Sequence, residues 1–221
     1  LPGLIVDIYG KHIVMQRHSD GMLKDAEIIG QALNIALDES PKTIYLKPVN
    51  ILSKSYESKF FKGSLEEDVV VENGVQFYVN WAQGQKTGFF LDQRVNRNLL
   101  GSMAEGRNIL NTFCYTGGFS AYAVKNQAKS VTSIDISETA ITLTDRNIKL
   151  NNKDHIKHLS LTENVLNYLA NEPLDEIDLI ILDPPAFAKN RKKTHNAVQA
   201  YKRLNALAMK KIKSGGIIFT F

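Results

Sequence analysis

The chain has 221 residues, 43% of them hydrophobic, and a formal net charge of +4. This length suits one large domain or two modest ones, and the apolar content is enough for a packed core. The single cysteine, Cys114, excludes an internal disulfide. We find no stretch with the length and apolarity of a membrane span or a secretory leader, so we expect a cytoplasmic protein without a membrane partner.

The first third of the sequence predicts a small α+β unit. The expected elements, in chain order, are strand 4–8, strand 12–17, helix 23–37, strand 43–46, strand 69–71 and strand 75–79. Turns at Tyr9-Gly10 and Asn73-Gly74 join two pairs of these strands, and Asp20 is the expected N-cap of the helix. The polar stretch between residues 53 and 67 predicts a mobile loop.

From about Trp81 onward, predicted strands alternate with predicted helices. Such alternation implies right-handed crossovers and a parallel sheet, which is an α/β domain. The strands that we expect are 109–113, 131–135, 159–162, 179–183 and 216–221. The last helix has an apolar stripe that consists of Val198, Tyr201, Leu204, Ala208 and Ile212. Because Phe221 ends the sequence inside a predicted strand, we expect the domain to continue beyond it.

The turn after the first of these strands has the features of a ligand-binding loop. In a parallel sheet, ligands lie outside the carboxyl ends of the strands, where the order of connection reverses. Tyr115, Thr116 and Gly117 run directly into a predicted helix, whose first amides can bind an anion; a glycine pair used only for packing is the alternative. Asp135 ends the next strand, eighteen positions after Gly117, and can accept hydrogen bonds from both hydroxyls of a ribose.

These two features favour S-adenosylmethionine over a nicotinamide dinucleotide as the cofactor. A dinucleotide would favour a complete G-x-G-x-x-G motif for its pyrophosphate, and the chain has only TGGFS after Tyr115. S-adenosylmethionine has an adenosine and an amino-acid tail but no pyrophosphate. Asn164, which follows the third strand, could reach the adenine edge, and a helix cap is an equally good role for it.

The sharpest motif is the segment from Asp183 to Phe187, DPPAF, which follows the fourth strand. Its two prolines make the turn rigid and present Asp183 and Phe187 at the carboxyl edge of the sheet. A planar aromatic ring at this edge can stack on an unpaired nucleobase. A rigid structural turn with Phe187 in the core is the alternative.

A basic cluster follows this motif directly. Its members are Lys189, Arg191, Lys192 and Lys193, and five more lysines or arginines lie between positions 202 and 213. A basic cluster beside a predicted active site indicates an anionic partner such as RNA, and a solvated surface is the alternative.

Taken together, these segments resemble the class I S-adenosylmethionine-dependent methyltransferases, and more narrowly the bacterial large-subunit ribosomal RNA cytosine methyltransferases of the RlmI type. The resemblance runs along nearly the whole chain and is carried by LPGLIVDIYG at Leu1, GQKTGFFLDQR at Gly84, NTFCYTGGFS at Asn111, SIDIS at Ser133, ILDPPAFAK at Ile181 and YKRLNALAMKKIKSGGIIFTF at Tyr201. It implies a small α+β domain on the RNA side, residues 1–80, and a Rossmann-like catalytic domain, residues 81–221, that is incomplete at its C-terminus.

The resemblance also implies roles for individual residues. Those expected at the cofactor are Gln93, Arg94, Phe113, Tyr115, Thr116, Gly117, Asp135, Asn164 and Asp183. Asp183 would face the reaction centre as the catalytic residue, and Phe187 and the basic cluster would contact ribosomal RNA. We expect no metal, and a homodimer is left open. Two positions depart from the family pattern: Asn164 stands where an aspartate is expected, and Ala186 stands where some relatives have lysine.

Methylation at carbon 5 of cytosine uses a cysteine thiolate that first adds to carbon 6. Cys114 lies in the cofactor turn, where we expect a small packing residue and not a nucleophile. In the resembling family the nucleophile lies in a Ser-Cys-Ser segment immediately after the strand that here ends at Phe221. Methylation of a guanine ring or exocyclic nitrogen in RNA, which needs no cysteine, and a noncatalytic RNA-binding module are the alternatives.

Overall fold

The computed structural model describes residues 2–19, 21–37, 39–51, 54–154, 156–187 and 194–221. The chain forms two compact units. The first comprises Leu1–Val71 and Tyr78–Asp92, and the second comprises Glu72–Phe77 and Gln93–Phe221. The assignment of separate functions to residues 1–80 and 81–221 stays a prediction.

The first unit contains a four-stranded mixed sheet and one long helix. Its elements are β1 (Leu4–Tyr9), β2 (His12–Arg17), α1 (Gly21–Ala36), β3 (Thr43–Leu46), β4 (Val49–Ile51), β5 (Lys54–Tyr56) and β6 (Lys59–Lys62). The sheet order is β1-β2-β3-β6, with β2 parallel to β3 and the other neighbours antiparallel, while β4 and β5 pair with each other. Ala26 of α1 is buried in a core with Ile13, Met15 and Ile44 of the sheet.

The predicted loop between residues 53 and 67 is wrong, because β5 and β6 lie inside it. The hydrophobic run of β6 has only two residues, Phe60 and Phe61, and a lysine lies on each side of it. Phe61 packs against the core of the first unit, and the ring of Phe60 lies 4.7 Å from that of Tyr45. Lysines at the ends of a short edge strand are a common protection against unwanted pairing, and they made this segment resemble a polar loop. Ser53 and the expected cap Asp20 lie outside the described residues.

A hairpin and an α/β sheet complete the chain. The elements are β7 (Glu67–Glu72), β8 (Val75–Asn80), a 3-10 helix (Leu91–Gln93), α2 (Arg94–Ser102), β9 (Asn108–Thr112), α3 (Gly118–Lys125), β10 (Ser130–Asp135), α4 (Glu138–Asn151), β11 (Lys157–Thr162), α5 (Val165–Asn171), β12 (Leu179–Leu182), α6 (Thr194–Lys211) and β13 (Ile217–Thr220). The last five strands form one parallel sheet in the order β11-β10-β9-β12-β13. The predicted α/β fold class is thus confirmed, and each of these strands lies within two residues of its predicted bounds.

The core of the second unit lies on both faces of this sheet. On one face, Leu110, Ile134 and Ile180 pack with residues of α5 and α6. The predicted stripe of α6 is wrong at Val198, which is 54% exposed, whereas its neighbour Ala197 is buried. The buried face of α6 is therefore shifted slightly from the predicted one, so that it includes Ala197 and not Val198.

The strand order places a topological switch point between β9 and β12. From β9 the chain proceeds to β10 and β11 on one side, and it then returns to β12 on the other side of β9. Thr112 and Leu182, the last residues of β9 and β12, pair in register. The loops after these two strands and after β10 therefore open at the edge where open α/β sheets bind ligands.

Candidate cofactor site

The loop that joins β9 to α3 has an unusual backbone. Phe113, Tyr115 and Gly117 all have positive φ angles, of 55°, 49° and 73°. Bulky residues rarely adopt this left-handed conformation, and such strain concentrates at functional sites. At Gly117 a side chain would also collide, because an added Cβ would lie 2.7 Å from Cγ2 of Thr144. The loop is thus both strained and closely packed against α4.

Asp135 holds this loop from the end of β10. Its Oδ2 accepts a hydrogen bond of 2.9 Å from the backbone amide of Tyr115, and its Oδ1 accepts one of 3.0 Å from the amide of Ser137. A carboxylate has about four acceptor positions, so each oxygen retains one for a further donor. The carboxylate is therefore fixed in place and can still accept two hydroxyl groups.

Helix α4 supports the loop from the other side. The hydroxyl of Thr144 donates to the carbonyl of Tyr115 over 3.0 Å, and the side-chain amide of Asn147 donates to the carbonyl of Thr116 over 2.8 Å. Both side chains are fully buried. Neither residue was predicted from the sequence. The signal was present, since Thr144, Asn147 and Asn151 form a polar stripe at helical spacing on an otherwise amphipathic helix.

The start of α3 fits an anionic group such as the carboxylate of an amino-acid tail. The first amides of a helix lack intrahelical partners and attract negative charge. Beside them, Oγ1 of Thr116 is buried and has no hydrogen-bond partner among the described residues. A buried hydroxyl without a partner is costly, which favours a ligand as its missing partner. These residues therefore fit the amino-acid end of S-adenosylmethionine.

Cys114 is a packing residue in this loop. Its side chain is 6% exposed, and its Sγ lies 3.6 Å from Oγ1 of Thr144. Burial raises the pKa of the thiol to about 12, and the hydrogen-bonding contact with Thr144 offsets only part of this effect. The thiol is consequently protonated at neutral pH, which disfavours a role as a nucleophile.

Three further predicted site residues follow β11 and β12. Asn164 is the N-cap of α5, where its side-chain oxygen accepts from the amide of Asn167 over 3.1 Å, so the cap role is observed while an adenine contact stays a prediction. Asp183 directly follows β12 and is partly buried. Phe187 packs on the core of the second unit and lies edge-on to Tyr201, with 4.8 Å between ring centres.

Gln93 and Arg94 lie at the start of α2 and make local contacts. Oε1 of Gln93 accepts from Asn96 over 2.7 Å, and Nε of Arg94 donates to Glu72 over 3.2 Å. Burial alone would raise the pKa of Glu72, but the guanidinium of Arg97, with two bonds of 2.8 Å, lowers it below its ordinary value. These contacts are to α2 and the hairpin; a cofactor role for Gln93 and Arg94 stays a prediction.

The basic cluster from Lys189 to Lys193 lies outside the described residues.

Within the described ranges, no group of three or more His, Cys, Asp or Glu side chains is arranged to hold a metal ion. Among the helices of those ranges, none is long and apolar enough to cross a membrane.

Comparison with known proteins identifies the family. The sequence model of the S-adenosylmethionine-dependent methyltransferase family matches residues 54–220. The chain belongs to this family. Its curated relatives include the ribosomal RNA large subunit methyltransferase I of Pseudoalteromonas atlantica, 37% identical over 228 residues, and that of Aeromonas hydrophila, 36% identical over 230 residues. Both matches cover 100% of this chain and 57% of the relative, so the chain spans a little over half of their length.

Solved structures of this methyltransferase class have the same fold. A protein classed as a SAM-dependent methyltransferase from Streptococcus mutans superposes with a TM-score of 0.82 at 26% identity, over 99% of this chain and 56% of that one. A protein described as a methyltransferase and crystallised with S-adenosylhomocysteine (SAH) superposes with a TM-score of 0.79, also at 26% identity, over 99% of this chain and 57% of that one. The predicted family and its cofactor, S-adenosylmethionine, are therefore confirmed.

Proposed function

We propose that the protein transfers a methyl group from S-adenosylmethionine to carbon 5 of a cytosine in large-subunit ribosomal RNA. The observation that carries the proposal is the fixed carboxylate of Asp135 beside the strained 113–117 loop, at the switch point of a methyltransferase sheet. Similarity along the whole chain to ribosomal RNA large subunit methyltransferases supports the choice of substrate.

Each side chain in the proposed site has a distinct task. Asp135 would accept the ribose hydroxyls, and the start of α3 with Thr116 would bind the amino-acid carboxylate. When bound, S-adenosylmethionine would supply an electrophilic methyl group. Asp183 follows the strand next to β9, so we assign it to the reaction centre, and Phe187, which packs on the core but is only partly buried, would contact the target base with its exposed part.

The covalent route to carbon 5 requires a thiolate that Cys114 does not provide, because its thiol is buried and protonated. Under this proposal the nucleophile belongs to the Ser-Cys-Ser segment that the family resemblance places after β13. Its thiolate would add to carbon 6, carbon 5 would then take the methyl group, and loss of the carbon 5 proton would expel the thiolate.

The same observation on Cys114 supports a second candidate, methylation of a guanine nitrogen in RNA. A ring or exocyclic nitrogen attacks the methyl group directly and needs no thiolate. The cofactor site would be identical, so only the target base separates the two candidates.

The test compares the 221-residue chain with the encoded protein extended beyond Phe221, each with S-adenosylmethionine and unmodified ribosomal RNA. Mass spectrometry locates the methyl group, and RNA containing 5-fluorocytosine traps a covalent adduct. We expect both proteins to bind SAH and only the extended one to methylate cytosine and form the adduct. A methyl group on guanine nitrogen would favour the second candidate. Cofactor binding without methylation by the extended protein would indicate a noncatalytic module.

A further inference from the structure

Three successive peptide groups of the 113–117 loop are each held by one side chain. The amide of Tyr115 donates to Asp135, the carbonyl of Tyr115 accepts from Thr144, and the carbonyl of Thr116 accepts from Asn147. Tyr115 has a left-handed φ of 49°, so the peptides on both of its sides are fixed at the point where the backbone conformation is unfavourable.

Two of these three supports come from α4, and neither is part of the site assigned to the cofactor. Thr144 and Asn147 are fully buried, and the hydroxyl of the first and the side-chain NH2 group of the second donate to loop carbonyls. Thr144 also fills the space beside Gly117, where an added Cβ would lie 3.0 Å from its Oγ1. The loop therefore adopts its strained conformation against a surface that is complementary in both shape and hydrogen bonding.

We infer that Thr144 and Asn147 are positioning residues for cofactor binding. They hold the 113–117 loop in the conformation that presents Thr116 and the start of α3 to the amino-acid end of the cofactor. The inference rests on the proposed cofactor site. When a binding-competent conformation is only partly populated, the apparent affinity falls by that fraction. Loss of either support should therefore weaken cofactor binding without removal of any group that touches the cofactor.

Asn151, one turn after Asn147, provides a matched control on the same helix. Its side chain is also buried, at 6% exposure, and it also bonds to backbone. Its partners, however, are the amide and carbonyl of Gln76, at 2.9 and 2.7 Å, and the carbonyl of Asn147. Replacement of either asparagine by leucine therefore removes a similar buried side-chain amide, but only the amide of Asn147 contacts the loop.

The experiment measures the affinity for SAH by calorimetry, together with the melting temperature, for wild type and four variants. Thr144→Val and Asn147→Leu remove the loop supports, Thr144→Ser keeps the hydroxyl, and Asn151→Leu is the control. We expect about tenfold weaker binding for the first two variants, near wild-type affinity for Thr144→Ser, and a lower melting temperature with unchanged affinity for Asn151→Leu.

Unchanged affinity in Thr144→Val would overturn the inference, as would an equal loss of affinity in Asn151→Leu. If Asn147→Leu does not fold, the pair Thr144→Val and Thr144→Ser still decides the matter, because valine has nearly the same shape as threonine. Failure of the wild-type chain to bind SAH is a different result, since it would overturn the proposed site itself.

Discussion

Cys114 shows how burial decides the chemistry of a residue. With a pKa of about 12, the thiol is a thiolate in only roughly one molecule in 10⁵ at pH 7. A catalytic cysteine usually lies in a partly exposed, electropositive environment. Cys114 instead lies in a packed loop, with the carboxylate of Asp135 acting to raise its pKa further.

We predict that Cys114→Ala leaves SAH affinity within about threefold of wild type and lowers stability by about 1 kcal/mol, the cost of a small cavity. In the extended protein, this variant should still form the adduct with 5-fluorocytosine RNA. Loss of trapping in a folded variant with normal cofactor affinity would show that Cys114 is the nucleophile after all.

At the scale of single residues, the sequence predicted which residue types suit a cofactor better than it predicted which side chains contact one another. Asp135 and Gly117 could be found because their residue types suit a ribose and a left-handed turn. From the sequence, an adenine contact and a helix cap were equally good roles for Asn164, and the structure shows that it caps α5. Thr144 and Asn147 contact the loop across about thirty positions of sequence, a pairing that no local pattern encodes.

At the scale of elements, a series of hydrogen-bonded polar side chains, all buried except the partly buried His158, links β9, α3, β10 and β11 of the second unit. Asn111 of β9 donates to Ser120 of α3 over 2.8 Å, Ser120 lies 2.7 Å from Ser133 of β10, and Ser133 lies 2.9 Å from Nε2 of His158 on β11. Burial lowers the pKa of His158, although the carboxylate of Asp145 opposes this shift. The imidazole is therefore neutral in the folded chain at neutral pH.

The lowered pKa of His158 predicts a specific pH dependence of the free energy of unfolding. Because the pKa of His158 is lower in the folded state, the unfolded state binds the proton first as the pH falls. The stabilising contribution is present above about pH 6.5, the pKa in the unfolded chain, and is lost as the pH falls through the lowered value.

We expect the free energy of unfolding, measured by urea denaturation between pH 8 and 5, to decrease over this window in the wild type. His158→Gln, which can still bond to Ser133, should lack this component. Identical pH profiles for the two proteins would contradict the assignment.

Periodicity predicted the parallel strands best where a short apolar run is buried on both faces, as in β12. It failed for β6, where only two apolar residues stand between lysines. It also could not predict the buried pair of Glu72 and Arg97, which lie 25 positions apart. From the sequence alone, charged residues are normally predicted to be exposed, and only the tertiary structure shows when an ion pair is buried.

At the scale of the whole molecule, the proposed RNA partner depends on charge. Lys192 and Lys193 belong to the basic cluster that follows the DPPAF motif in the sequence. Exposed Lys125 and Lys129 lie at the amino edge of the parallel sheet, since they end α3 and precede β10. The two pairs carry equal charge and thus form a matched comparison.

We predict that changing Lys192 and Lys193 to glutamine weakens RNA binding and lowers the slope of log K against log salt by roughly 0.7–0.9 for each phosphate that is no longer neutralised. Changing Lys125 and Lys129 should have a smaller effect, and SAH affinity should be unaltered in both variants. Equal slopes in the two variants would assign the basic cluster to an ordinary solvated surface.

Calorimetric titration with SAH tests whether the carboxyl ends of β9 and β10 form the cofactor site. The wild-type chain should bind one equivalent. Asp135→Ala should bind more weakly by about 1–3 kcal/mol, because it loses hydrogen bonds to a charged group, while Asp175→Ala, at an exposed turn, should bind like wild type. Absence of binding by the wild type, or unchanged affinity in Asp135→Ala, would show that the cofactor does not bind at this edge of the sheet.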